Sequence, residues 1–97
     1  MAAIDKELKD VYMKQSGEPI RFAHGTYVVT QVDGKRHCEL TLHNVEQQEM
    51  FDERKEEDKP VEMTFTTQEN ESHEMTFKVK TVNRFNEQRN VVELENL

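Results

Sequence analysis

Thr26-Tyr27-Val28-Val29-Thr30-Gln31-Val32-Asp33-Gly34-Lys35-Arg36-His37-Cys38-Glu39-Leu40-Thr41-Leu42 is the stretch whose reading decides the fold. Residues 26–32 are rich in β-branched and aromatic side chains, which suit a half-buried pleated strand. Asp33-Gly34 then breaks the run. This dipeptide tolerates the two positive φ angles that a two-residue type I′ hairpin requires. Past it, Cys38, Leu40 and Leu42 alternate with polar residues and share one face. The segment predicts two antiparallel strands with that face turned to a core.

Downstream, the alternation lapses over residues 44–60, where Val45, Met50 and Phe51 are the main apolar residues. Asn44 and Gln47 have the spacing of a capping box, which favours a helix start. Against a long helix, Glu49–Glu53, Asp52–Glu56 and Glu53–Glu57 are like-charge pairs four apart, each costing roughly 0.2–0.5 kcal/mol. The expectation is a short helix or a mobile loop, with helix preferred. Alternation then returns. Val61, Met63, Phe65 and Thr67 line one face of a strand, and Met75, Phe77, Val79 and Thr81 line one face of the next. A symmetric hairpin through the polar turn at 68–72 pairs Met63 with Phe77 or Val79. It also sets Glu62 opposite Lys78 or Lys80. Val82 opens a turn that runs to Asn90, and residues 91–94 form a last strand.

Upstream, Ile20, Arg21 and Phe22 alternate as a short strand that stops at Gly25. Residues 2–15 have a different period. Ile4, Leu8, Val11 and Tyr12 fall at i, i+4, i+7 and i+8, the apolar stripe of a helix. Ser16-Gly17 and Pro19 supply a helix end and a stop. The fold class expected is α+β. An N-terminal helix packs on a five- to six-stranded, mostly antiparallel sheet, strongly curled or closed into a small barrel. SH3-like and Sm-like barrels are comparable in architecture only, because no motif of either family is present.

Composition bounds the rest. The chain has 97 residues, 20 Asp+Glu and 13 Lys+Arg, for a net charge of -7 and a pI near 5.1. Val, Ile, Leu and Phe together number 22, just above the roughly 20% at which strongly charged chains fail to fold. One lean core and a single domain over 1–97 follow. The acidic pI argues against direct nucleic-acid binding, which needs clustered Lys and Arg. No apolar window is long enough to span a membrane, and the start turns polar too soon for a signal peptide. One cysteine makes no internal disulfide, so a reducing cytoplasm is the expected compartment.

Little in the sequence carries chemistry. Cys38 shares a face with Leu40 and Leu42, and a free cysteine there behaves as a small hydrophobe. His37 and His43 share a parity on one strand, but six residues place them roughly 20 Å apart. The four histidines, His24, His37, His43 and His73, lack a zinc-like spacing, so they read as surface or hairpin residues and no metal centre is expected. Ser16 and Ser72 lie in predicted turns, and no nucleophile-elbow or phosphate-loop pattern occurs. Neither a catalytic residue nor a cofactor is expected, and an enzyme is the less favoured class.

Charge patterning says more. Residues 1–44 hold six acids and six bases, whereas 45–97 hold 14 acids and seven bases. The whole net charge thus falls in the second half. Glu49, Asp52, Glu53, Glu56, Glu57 and Asp58, joined by Glu69 and Glu71 if segment 44–60 lies beside the 68–74 turn, make one candidate partner-binding surface. The partner expected is a basic-surfaced, nucleic-acid-handling protein, because spaced carboxylates imitate a row of phosphates. Anti-restriction, anti-CRISPR and nuclease-immunity inhibitors share this size and charge. The alternative is a non-catalytic structural or adaptor module of a larger assembly such as a phage particle, using exposed Met50 and Phe51 or a sheet edge.

Overall fold

Asp33 and Gly34 adopt φ of 52° and 77°, so the hairpin forms as its sequence requires. In the computed structural model, which describes residues 3–86 and 89–97, it joins β2 (His24–Val32) to β3 (Lys35–His43). Their register runs from Val32↔Lys35 to His24↔His43. Four further strands are β1 (Ala3–Met13), β4 (Val61–Thr67), β5 (Ser72–Asn86) and β6 (Arg89–Asn96). All ladders are antiparallel. The helix α1 (Gln48–Glu56) sits between β3 and β4, not at the N-terminus.

The expected N-terminal helix is therefore strand β1 followed by a turn at Lys14 and Gln15, except for Ala2, which lies outside the described residues. A bulge explains the misleading period. Leu8 pairs with Thr67 and Asp10 with Thr66, so Lys9 is the extra residue. Leu8 and Val11, three apart, consequently both point inward and are 4% and 1% exposed. One inserted residue turns a period of two into a helix-like spacing. Ala3–Glu7 pairs with β2, and Leu8–Met13 pairs with β4. β1 thus joins two strands, and the order β1-β2-β3-β6-β5-β4 runs back to its start. A docked helix would have left those two strand edges unpaired, the liability that sheets avoid.

The turn after β1 uses Gly17 at φ 72°, with the Gly17 N–H donating to the Met13 carbonyl at 2.8 Å. Residues 20–22 form no ladder. A single bridge links Tyr12 to Pro19, and the Ile20 N–H donates to the Val11 carbonyl at 2.8 Å. Gln47 ties this segment down, accepting from the Arg21 N–H at 3.0 Å and donating to the Pro19 carbonyl at 2.8 Å.

The β4–β5 register differs by two residues from the nearer expected pairing and by four from the other. Met63 faces Met75, and Glu62 faces Thr76. Asn70 at φ 64° and the Thr67 hydroxyl, which accepts from the Glu71 N–H at 3.3 Å, tighten the turn. A two-residue shift keeps every side chain on its expected face, so Met63, Phe65, Phe77 and Val79 remain in the core. Glu62 faces neither Lys78 nor Lys80. Its cation is Lys14, at 3.7 Å.

Over the expected turn from Val82 to Asn90 the ladder instead continues, pairing Val82 with Val92 and Arg84 with Asn90, with one irregularity between Arg84 and Asn86. Residues 87 and 88 lie outside the described residues. Asn44 does not cap α1. The N-cap is Gln47, without a side-chain capping bond. Asn44 takes φ 56° and its N–H donates to the Asn90 carbonyl at 2.8 Å. The Asn90 side chain, 3% exposed, exchanges two 3.0 Å hydrogen bonds with the Val45 backbone. It behaves as one more peptide group and fixes the approach to α1. One connected core fills the interior of the sheet, and α1 adds Phe51 to it at 0% exposure while packing on β5 and β6. Phe51 and the half-buried Met50 are thus core and core-packing residues, not the exposed pair that an adaptor contact would use.

Asn90→Ala should lower stability by about 2–4 kcal/mol, because two buried backbone groups of Val45 lose their partners. Urea unfolding with an unchanged m-value would check it.

Candidate functional site

The acidic residues of α1 divide by face. Phe51 anchors the inner side. Glu49, Glu53 and Glu56, at i, i+4 and i+7, form a stripe opposite it, and all three are exposed. Asp52 lies nearer the sheet and pairs with Arg84 of β5. Glu57 pairs with Lys59 at 2.9 Å, and that hydrogen bond holds its carboxyl below the ordinary value. Asp58, at φ 53°, ends the helix turn. Among the described residues, Glu49, Glu53, Glu56 and Asp58 have no side-chain ion pair.

Glu69 and Glu71 lie elsewhere. They belong to the turn that leaves β4, whereas α1 precedes its start, and the strand's seven residues span about 20 Å. Both carboxylates meet Lys6 of β1, whose Nζ lies 3.0 Å from Glu69 Oε2 and 2.7 Å from Glu71 Oε1. The hydrogen bonds that Lys6 donates to Glu71 and then Glu69 raise its pKa, and Lys6 lowers that of Glu71. Lys14, in the turn just past β1, likewise reaches Glu62 and Glu74. The structure brings the helix carboxylates together and places the turn carboxylates at the opposite end of β4, already matched to cations.

A second cluster occupies the outer face where β3 meets β6. Glu39 stands directly opposite Glu95, a like-charge cross-strand pair that costs stability. His37, two residues along β3, shares that face. His37 Nε2 lies 3.0 Å from Glu39 Oε1 and 3.9 Å from Glu95 Oε2. Lys80 Nζ approaches Glu39 at 3.4 Å, and Lys78 faces Glu95. The hydrogen bond from His37, followed by that from Lys80, holds the Glu39 carboxyl below its ordinary value. Among the described residues, this trio is the one group of three His, Cys, Asp or Glu donors brought close enough to share a metal ion. The reading of histidines by spacing misses it, because its third member comes from a strand 56 positions away. The local signal was His37-x-Glu39 on one strand face. His43 instead lies beside His24, with ring centroids 5.6 Å apart.

Inside the sheet, Cys38 is 3% exposed and its Sγ lies 3.6 Å from the Tyr27 hydroxyl. Tyr27 packs edge-on to Phe65 at 4.9 Å and against His73 at 5.2 Å. Burial, then the contact with Cys38, pushes the Tyr27 pKa up to about 12. Its hydroxyl therefore stays protonated at neutral pH and does not serve Cys38 as a base.

The raised value has a stability consequence. A phenol that is harder to ionise when folded stabilises the native state fully below pH 10 and loses that contribution as pH climbs towards 12. Stability should fall by about 2–3 kcal/mol over that interval. Tyr27→Phe should remove this component, as urea unfolding across alkaline pH would measure. Comparisons with protein-family models, curated proteins and solved structures found no match to this chain.

Proposed function

We propose that this chain is a non-catalytic binding protein that offers the outer stripe of α1 to a cationic surface on a partner protein. The observation that carries the reading is the alignment of Glu49, Glu53 and Glu56 with no ion pair among the described residues. Glu49 and Glu53 repel each other at i, i+4, a cost the helix bears without any folding benefit. Three charges over seven residue steps place one about every 5 Å of helix axis. A nucleic-acid strand carries one about every 3.4 Å of its axis. The stripe is thus a sparse imitation of a phosphate row, extended by Asp58. Its partner is a protein whose basic groove handles nucleic acid, as for anti-restriction, anti-CRISPR or nuclease-immunity inhibitors. The net charge of -7 supports steering towards such a groove. The adaptor alternative has less support, since Phe51 and Met50 are engaged with the core.

The test joins capture to charge. The wild-type chain should retain a nucleic-acid-binding protein from its host lysate, release it as salt rises, and compete with nucleic acid for it. Changing Glu49→Lys, Glu53→Lys and Glu56→Lys together should weaken capture at least about tenfold with the fold unchanged. Equal capture by that variant would remove the proposal.

A further inference from the structure

We propose that His37, Glu39 and Glu95 form a binding site for a divalent transition-metal ion, with zinc the best match, that clips β3 to β6. Topology supplies the first argument. Residues two apart on a strand project from the same face, and a directly opposed residue on the next strand projects beside them. His37 and Glu39 are two apart on β3, and Glu95 is Glu39's opposite number on β6. This arrangement sets three donors at the corners of a small triangle on the solvent side, while Cys38 and Leu40 point inward.

Distance supplies the second argument. The candidate donor atoms all lie within 4.8 Å of one another, and His37 Nε2 is 3.0 Å from Glu39 Oε1. Donors around a tetrahedral ion bound at about 2.0–2.1 Å stand about 3.4 Å apart. The widest separation must therefore close by up to about 1.4 Å, a rotamer adjustment open to side chains that are 43%, 36% and 27% exposed. One imidazole nitrogen with two carboxylates suits zinc better than calcium, which takes six to eight oxygens. A fourth position is left for water.

Electrostatics supplies the third. Glu39 and Glu95 face each other and need a cation between them. Lys80 and Lys78 on β5 supply positive charge, while Glu93, two before Glu95 on β6, adds negative charge to the same side. A lysine gives charge without ligation. A divalent ion gives both and displaces Lys80 from Glu39. The inference is independent of the acidic stripe on α1.

The test titrates zinc ion into the full chain by calorimetry, with thermal unfolding alongside. One saturable ion per chain should bind and raise the melting temperature, since a ligand held only by the folded state stabilises it. His37→Ala and Glu95→Gln, both on the outer face, should each weaken zinc binding at least about tenfold while leaving the metal-free melting curve cooperative. Lys80→Ala should tighten it by removing the competing cation. His43→Ala should leave it unchanged. Zinc affinity that survives His37→Ala, that falls instead with His43→Ala, or that is absent from both the wild-type chain and Lys80→Ala would overturn the proposal.

Discussion

The structure depends on β1 pairing with two strands at once. Its first half completes the ladder of β2 and its second half that of β4, and the Lys9 bulge lets Leu8 and Val11, on either side of it, both turn inward. Without that bulge, Leu8 and Val11 would face opposite sides, and one would lie in water. Every strand has two hydrogen-bonded neighbours over at least part of its length. A chain with so few large aliphatic residues can therefore fold by filling a single enclosed interior. The helix contributes Phe51 to that interior and little else.

The same closure rearranges charge. By position along the chain, the first 44 residues are neutral and the remainder carries the deficit. In space, Lys6 of β1 and Lys14 just past its end stand against Glu69, Glu71, Glu62 and Glu74 of the second half. Linear charge counting overstates the acidic surface because antiparallel pairing brings the two halves together. Among the described residues, the acids left without an ion pair include Glu49, Glu53 and Glu56 on the exposed side of α1, along with Asp5, Glu7, Asp10, Glu18, Asp33, Asp58 and Glu93 elsewhere.

What the sequence discloses follows the range of the interaction responsible. Asp33-Gly34 specifies its own turn, and the alternations of Cys38, Leu40 and Leu42 and of Val61, Met63 and Phe65 specify their own faces. These are legible because each depends on neighbours within a few residues. β1 misleads because a single bulge imitates helical spacing. The β4–β5 register turns on Asn70. The non-glycine residues with positive φ among the described residues are Asp33, Asn44, Asp58 and Asn70, the types that tolerate it best. Asn44 reads as a helix cap, yet its partner is Asn90, far along the chain. The union of His37 and Glu39 with Glu95 depends on the β3–β6 ladder, which no local pattern announces. The α1 stripe is visible as a spacing, but its freedom from cations appears only once the strands are placed.

Ring closure also orders the events of folding. The β2–β3, β4–β5 and β5–β6 ladders join consecutive strands, whereas β1–β4 and β3–β6 join residues as far as 59 and 56 positions apart. Chain entropy must be surrendered over those long loops before their hydrogen bonds return anything. Domains dominated by such distant pairings reach the native state in milliseconds to seconds, not microseconds. β6 must also be made before it can meet β3, so the earlier hairpins wait, half-assembled, for that strand.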